Sequence, residues 1–176
     1  MQTALLVIDV QHALFEADPR PYEADQVIAR IHAMCAQARA AQAPVFWIQH
    51  ENADALAFGT AGWKLHHHLE TAPADTLIRK RTPDAFLHTP LQSLLEQHGI
   101  RQVVIAGYAS EFCVDTTVRK AAALGYEVVI AADAHTTCDK AHASGAAIRA
   151  HHNATLSSIS SFGTKIAATP SAAIQF

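Results

Sequence analysis

The sequence predicts an α/β fold: a three-layer α/β/α arrangement around a mostly parallel sheet of about six strands. Three observations predict it. Short Val/Ile-rich runs alternate along the chain with stretches of helical spacing. The runs are continuously apolar, as in strands buried on both faces. The stretches between them are long enough for the helical crossovers of a parallel sheet, which are right-handed. A domain typically holds about 100–200 residues, so the 176 residues are read as one domain, 1–176.

The elements follow in order. Residues 4–10 (ALLVIDV) form an apolar run ending at an acid and read as the first strand. Residues 24–41 place Val27, Ile28, Ile31, Met34, Cys35 and Ala38 on one helical stripe. Pro44 precedes a second strand at 45–48 (VFWI). Residues 52–69, with Gly59 and Gly62, read as a long loop with about one helical turn, and 76–78 as a short strand ending at Arg79-Lys80. Thr89 as N-cap and Pro90 in the first turn open a helix that Gly99 closes. Strand four is 103–106 (VVIA), a helix runs over 112–124 up to Gly125, and strand five is 127–131 (EVVIA). Residues 139–156 read as helix, 162–167 as a sixth, edge strand, and 169–176 as a tail.

In sheets of this kind ligands sit beyond the carboxyl ends of the strands. Asp9, Lys80 and Cys113 come from three different strand ends. A carboxylate closing an apolar strand is partly desolvated and can serve as a base. A thiol where a helix begins feels the positive end of the helix dipole, which lowers its pKa. An ammonium beside both would favour carboxylate and thiolate. Each residue also has an ordinary reading: Asp9 capping a turn, Lys80 in a solvated basic cluster with Arg79 and Arg81, Cys113 as a small buried side chain. The combination is more specific than any one of them. Cys35, on the apolar stripe, is assigned to the core, and Cys138 lacks the turn context.

Composition narrows the function classes. Half the residues are apolar and 16% charged, with 13 Lys+Arg against 16 Asp+Glu. A disordered segment is excluded, and no basic excess exists to neutralise nucleic acid. No apolar run approaches the length of a transmembrane span, and the N-terminus lacks the features of a signal peptide. Three cysteines form no spaced framework, so a cytoplasmic protein with reduced thiols is expected. A dinucleotide-binding domain is disfavoured because no G-x-G-x-x-G follows the first strand. A phosphoacceptor domain needs clustered acids after strand one and a lysine after strand five. An Asp-x-Asp phosphatase fails at Gln11.

Further stretches carry a pattern of their own: 4–11 (ALLVIDVQ), 44–51 (PVFWIQHE), 62–66 (GWKLH), Lys80 with Asp84-Ala85-Phe86, Thr89 and Leu91, and the most specific stretch, 99–134. Together they resemble the isochorismatase-like cysteine hydrolases, a family that includes nicotinamidases and N-carbamoylsarcosine amidases. The resemblance implies a catalytic set of Cys113, Asp9 and Lys80. It also implies a cis peptide at Tyr108–Ala109, which would aim the N–H groups of Ala109 and Cys113 at an oxyanion. The implied activity is hydrolysis of a small-molecule amide or carbamoyl bond through a thioester. Two alternatives stay open: a vinyl-ether hydrolase that does not use the cysteine, and a non-catalytic binder of small molecules. Relatives commonly assemble as symmetric oligomers, so an oligomer is expected.

Gln11, two residues past Asp9, is expected near the mouth of the site. Phe15, Trp63, Tyr108 and Phe112 are candidates for lining the pocket, each with core packing as the commoner role. His66-His67-His68 and His151-His152 invite a metal reading, but adjacent residues on a helix or strand diverge. The Asp-x-His metal motif of nicotinamidases is absent from Gln49-His50-Glu51-Asn52. No metal or cofactor is therefore expected. His50 and Glu51 are read either as pocket-shaping or as solvated loop residues, and His135 as a loop hydrogen-bonder.

Overall fold

The computed structural model describes residues 2–176. Six parallel strands lie in the order β3-β2-β1-β4-β5-β6. They are β1 (Thr3–Ile8), β2 (Val45–His50), β3 (Thr76–Lys80), β4 (Gln102–Tyr108), β5 (Glu127–Thr136) and β6 (Ile166–Thr169). The helices are α1 (His12–Phe15), α2 (Ala24–Ala40), α3 (Leu91–Gln97), α4 (Asp115–Ala123) and α5 (Gly145–Ser157). The order doubles back between β1 and β4, so the chain ends of these two strands splay into the crevice where ligands bind in doubly wound sheets.

Alternate residues of each inner strand feed two cores. Leu5, Val7, Val45, Trp47, Val104 and Ala106 meet the α2 stripe of Val27, Ile31, Met34 and Cys35. Ala4, Leu6, Ile8, Phe46, Val103 and Ile105 meet Leu91 and Leu95 of α3, Val118 and Ala121 of α4, and Leu156 of α5. Burying each large apolar side chain contributes about 1.5–3 kcal/mol, which explains the unbroken apolar runs in β1 and β4. Among the described residues no helix is long and apolar enough to cross a membrane.

Several boundaries differ from the sequence reading for local reasons. The helix α3 begins one residue later than its Thr-Pro signal, with Pro90 in the cap position; the Thr89 hydroxyl accepts from Leu91 N (3.3 Å) and donates to Ala85 O (2.5 Å). The helix read over 139–156 begins only at Gly145, because Ser144 caps Ala147 N and Asp139 accepts from Gly145 N (2.7 Å). Gly163, at φ +76°, delays the edge strand to Ile166–Thr169. The supposed tail is anchored: Ser171 N donates to Asp133 (2.7 Å), and Ile174 is buried beside α2. The four-residue α1 was not foreseen, and the loop at 52–69 contains turns but no helix.

One glycine is obligatory. Gly107 in β4 adopts φ +121°, and a Cβ there would lie 2.0 Å from Ile8 O. Strand β4 thus passes β1 too closely for any side chain, just where the crevice opens. The variant Gly107→Ala should lose roughly 3 kcal/mol of stability. Urea denaturation checks this, and an unchanged midpoint would refute the close-approach argument.

Candidate active site

At the crevice the chain leaves β1 through Asp9, whose backbone is left-handed (φ +52°). Such a conformation is uncommon for a residue other than glycine, and Asp9 N is fixed by Ile48 O at 2.7 Å. This turn holds the carboxylate inside the protein, 1% exposed. Strand β3 extends to Lys80, two residues beyond the predicted end, so the lysine lies in the strand and is 2% exposed. Strand β2 separates β3 from β1, and Lys80 pairs in register with His50. The long side chain spans that gap.

On the other side of the crevice, β4 ends at Tyr108 and the Tyr108–Ala109 peptide is cis. A single π-helical turn, Ser110–Val114, follows before α4 begins. Cys113 lies in this turn, where a one-residue expansion of the helix is a frequent feature of functional sites.

The three side chains meet. Lys80 Nζ donates to Asp9 Oδ2 (2.7 Å), Cys113 Sγ (3.2 Å) and Thr82 O (3.2 Å). His50 Nδ1 lies 3.3 Å from the same nitrogen. The three N–H donors of the ammonium already serve Asp9, Cys113 and Thr82; burial first and the Lys80 charge second hold the His50 imidazole below its ordinary pKa. Asp9 Oδ1 is buried with no hydrogen-bond partner. One carboxylate oxygen is thus committed to Lys80 and the other is free to take a proton.

The thiol does not behave as the helix-dipole reading predicts. Burial, and then the Asp9 charge, push the Cys113 thiol up to about 12 against the opposing pull of Lys80. Removal from water disfavours the thiolate more than the local cation favours it. Burial thus favours the neutral thiol over the thiolate.

The predicted pocket residues divide. Tyr108 and Phe112 flank the cysteine in sequence; Phe112 is 56% exposed, and the half-buried Tyr108 hydroxyl lies 3.8 Å from Cys138 Sγ. Phe15 is fully buried and meets Tyr108 edge-on at 6.0 Å. Gln11 is also fully buried, away from any mouth. Its amide donates to His50 O and Trp63 O (both 2.9 Å) and accepts from His50 N (2.9 Å), tying the end of β2 and the loop at Trp63 to the segment after β1. Trp63 is held by its carbonyl, which also accepts from Gln49 (2.7 Å), and its ring meets Phe58 at 4.8 Å. Glu51 is neither solvated nor free: Arg79 (2.7 Å) and Arg81 (2.6 Å) hold its carboxyl down at about 2.

Two groups among the described residues have metal-ligating spacing: Asp9, His50 and Cys113, and His66, His67 and His68. In the first, the Lys80 ammonium already bridges all three groups, and a cation would have to displace it.

Sequence reasoning missed a buried relay behind the cysteine turn. His135 lies within β5, fully buried, and not in a loop. Asn153 Nδ2 donates to Ala132 O (2.8 Å), which turns Asn153 Oδ1 toward His135 Nε2 (2.9 Å). The proton therefore sits on Nε2, and Nδ1 accepts from the Ser110 hydroxyl at 2.8 Å. Ser110 opens the π turn that carries Cys113, so the relay ties that turn to β5 and α5. Nothing in the spacing of Ser110, His135 and Asn153 announces this; only the register of β4 with β5, which pairs Gly107 with His135, brings them together.

Burial holds His135 down at about 4, against an ordinary value of 6.5. Between these pH values the unfolded chain binds a proton that the folded chain refuses. Stability from this site is therefore complete above about pH 6.5 and falls toward pH 4 by up to about 1.4 kcal/mol per pH unit. His135→Gln should remove that component. Urea denaturation of both proteins between pH 7 and 4.5 checks it, and parallel pH slopes would refute it.

The chain has relatives of known family. The family model for the isochorismatase domain matches residues 3–161. A streptothricin hydrolase of Streptomyces noursei is 39% identical over 138 residues, 77% of this chain and 50% of that protein. The chain thus spans about half the length of that relative. Nicotinamidase 3 of Arabidopsis thaliana is 31% identical over 151 residues, covering 76% of this chain and 73% of the plant protein. A crystal structure described as an isochorismatase family protein superposes with a TM-score of 0.87 at 34% identity, covering 96% of this chain and 98% of the other. By fold and by sequence, the chain belongs to the isochorismatase family.

Proposed function

We propose that this protein is a cysteine-dependent hydrolase that cleaves a small-molecule C–N bond, amide or carbamoyl, through a covalent thioester. The observation that carries the reading is the buried cluster itself. Lys80 Nζ lies 2.7 Å from Asp9 Oδ2 and 3.2 Å from Cys113 Sγ, while Asp9 Oδ1 is buried without a partner. The relatives named streptothricin hydrolase and nicotinamidase support a hydrolytic reading.

In this mechanism the Cys113 sulfur attacks the substrate carbonyl carbon as its proton passes to Asp9. Lys80 holds Asp9 by Oδ2 and stabilises the negative charge on sulfur. The N–H groups of Ala109 and Cys113 receive the oxyanion, a type of contact whose loss elsewhere costs about 10²–10³ in rate. Asp9 returns the proton to the leaving nitrogen as the C–N bond breaks, giving ammonia or an amine and the thioester. Asp9 then takes a proton from water, the hydroxide attacks the thioester carbonyl, and the proton goes back to sulfur as the acid leaves. Tyr108 and Phe112, beside the cysteine, are the pocket-lining candidates. Gln11, Phe15 and Trp63 support the wall from behind. The reading includes a symmetric oligomer, for which the exposed Leu77 and Leu87 near the β3 edge supply apolar surface, and a cytoplasmic location, in keeping with three unpaired cysteines.

Ammonia release from a panel of small amides, carbamoyl compounds and ureido acids tests the proposal. Cys113→Ala should abolish turnover with little change in melting temperature. Undiminished turnover would refute covalent catalysis, while no ammonia release by the parent protein from any member of the panel would overturn the C–N hydrolase reading and leave the vinyl-ether and binder readings. Asp9→Asn should lower the rate by about 10²–10⁴-fold.

Lys80→Met leaves the Asp9 charge buried and unpaired and should cost about 3–5 kcal/mol of stability. The double variant Asp9→Asn/Lys80→Met should recover part of that stability and none of the activity. Chemical denaturation checks both, and a fully stable Lys80→Met protein would contradict the buried ion pair.

A further inference from the structure

The histidine run at 66–68 stands apart from the cysteine chemistry. The expectation that its side chains diverge holds for a helix or a strand, but these residues occupy neither: the chain turns through them after an isolated bridge between Gln11 and Leu65. The turn folds the rings together. Ring centroids lie 4.3 Å apart for His66 and His67, 4.1 Å for His67 and His68, and 5.3 Å for His66 and His68. One ring nitrogen from each falls within 4.8 Å of the others. A tetrahedral ion with metal–nitrogen bonds of about 2.0–2.1 Å needs nitrogens roughly 3.4 Å apart. His67 and His68 are exposed and can close the remaining distance by side-chain rotation.

One of the three is already oriented. His66 is 1% exposed, and its Nε2 lies 2.8 Å from Glu16 Oε1. A carboxylate only accepts, so the proton resides on Nε2 and Nδ1 carries the lone pair. Nδ1 is met only by a long bond from His68 N at 3.3 Å. A carboxylate behind a histidine is the usual way that proteins fix the tautomer of a metal-ligating imidazole. Glu16 is itself paired with Arg20 at 3.3 Å. His12, whose ring centroid is 6.4 Å from that of His67, adds a fourth imidazole at the rim. The turn is rigid where it matters: His66 N donates to Val10 O (3.0 Å), Leu69 N to His66 O (2.8 Å) and His12 N to Lys64 O (2.8 Å).

We propose that His66, His67 and His68 bind one divalent transition-metal ion, with Glu16 holding His66 in the ligating tautomer. Three neutral imidazoles favour zinc, nickel or copper over magnesium or calcium. The bound ion would lock the turn at 66–68, already tied to Glu16 through His66, without touching sulfur.

Zinc chloride is the probe. Metal-stripped protein titrated at pH 7.5 by calorimetry, with dialysis and elemental analysis, should bind one zinc per chain, with a rise in melting temperature. His67→Ala/His68→Ala should weaken binding at least tenfold while the metal-free protein stays folded by circular dichroism, since both side chains are exposed. Glu16→Ala should weaken it by about 10–100-fold. Cys113→Ala should bind as the parent does, whatever its effect on turnover, which separates this proposal from the catalytic one. No saturable binding, binding unaltered in the double-histidine variant, or binding lost on Cys113→Ala would each overturn it; the last would move the ion to Asp9, His50 and Cys113.

Discussion

The ion pair between Lys80 and Asp9 is the constraint around which the carboxyl end of the sheet is arranged. Both groups are removed from water, 2% and 1% exposed. Moving either charge into the interior alone would cost several kcal/mol, so each demands the other. They belong to strands that are not neighbours, and the lysine must cross the end of β2 to reach its partner. The β2 end is accordingly tied down on both flanks. Gln11 fixes the backbone of His50, and Glu51 is gripped by Arg79 and Arg81. These contacts keep water and competing partners from the pair more than they add stability of their own, because ion pairs with exposed arginines contribute little.

The second requirement is that β1 and β4 part at the right place. Asp9 turns out of β1 through a left-handed backbone, and Gly107 lets β4 come close enough for its own exit to begin opposite. The π turn then swings Cys113 back over the crevice, with Ser110 anchored through His135 to Asn153. Carboxylate and thiol thus arrive from opposite walls, each set by backbone geometry and not by side-chain reach. Lysine, the longest of the three, spans the distance that backbone cannot.

Much of this was legible in the chain. Apolar runs long enough to be buried on both faces predict strands, their alternation with helical stripes predicts a parallel sheet, and strand ends mark where Asp9, Lys80 and Cys113 lie. What was not legible depends on pairing across the fold. Gln11 reads as a residue at a strand end, but its amide matches two backbone groups of His50 and the carbonyl of Trp63, which only the folded loops supply. Phe15 reads as a pocket aromatic and is core because the unforeseen α1 tucks it beneath Tyr108. The histidine run misled for a similar reason: the rule about adjacent side chains presumes regular structure, and 66–68 is a turn. The helix-dipole argument for a low thiol pKa was sound locally and lost to burial, a larger effect that depends on the layers above and below.

The raised thiol also bears on how attack would begin on the proposed mechanism. With the thiol pushed up to about 12, ionisation of the sulfur alone is strongly disfavoured at neutral pH. It does not ionise alone in a trio of this kind. Part of the rise comes from the Asp9 carboxylate, and that charge vanishes when Asp9 accepts the proton. Before transfer the cluster holds thiol, carboxylate and ammonium; after it, thiolate, carboxylic acid and ammonium. Net charge is unchanged, and the Lys80 ammonium, 2.7 Å from Asp9 and 3.2 Å from sulfur, faces one anion in either state. On the proposed mechanism, deprotonation becomes accessible when it accompanies attack, and the resting sulfur would stay protonated until a carbonyl is in place.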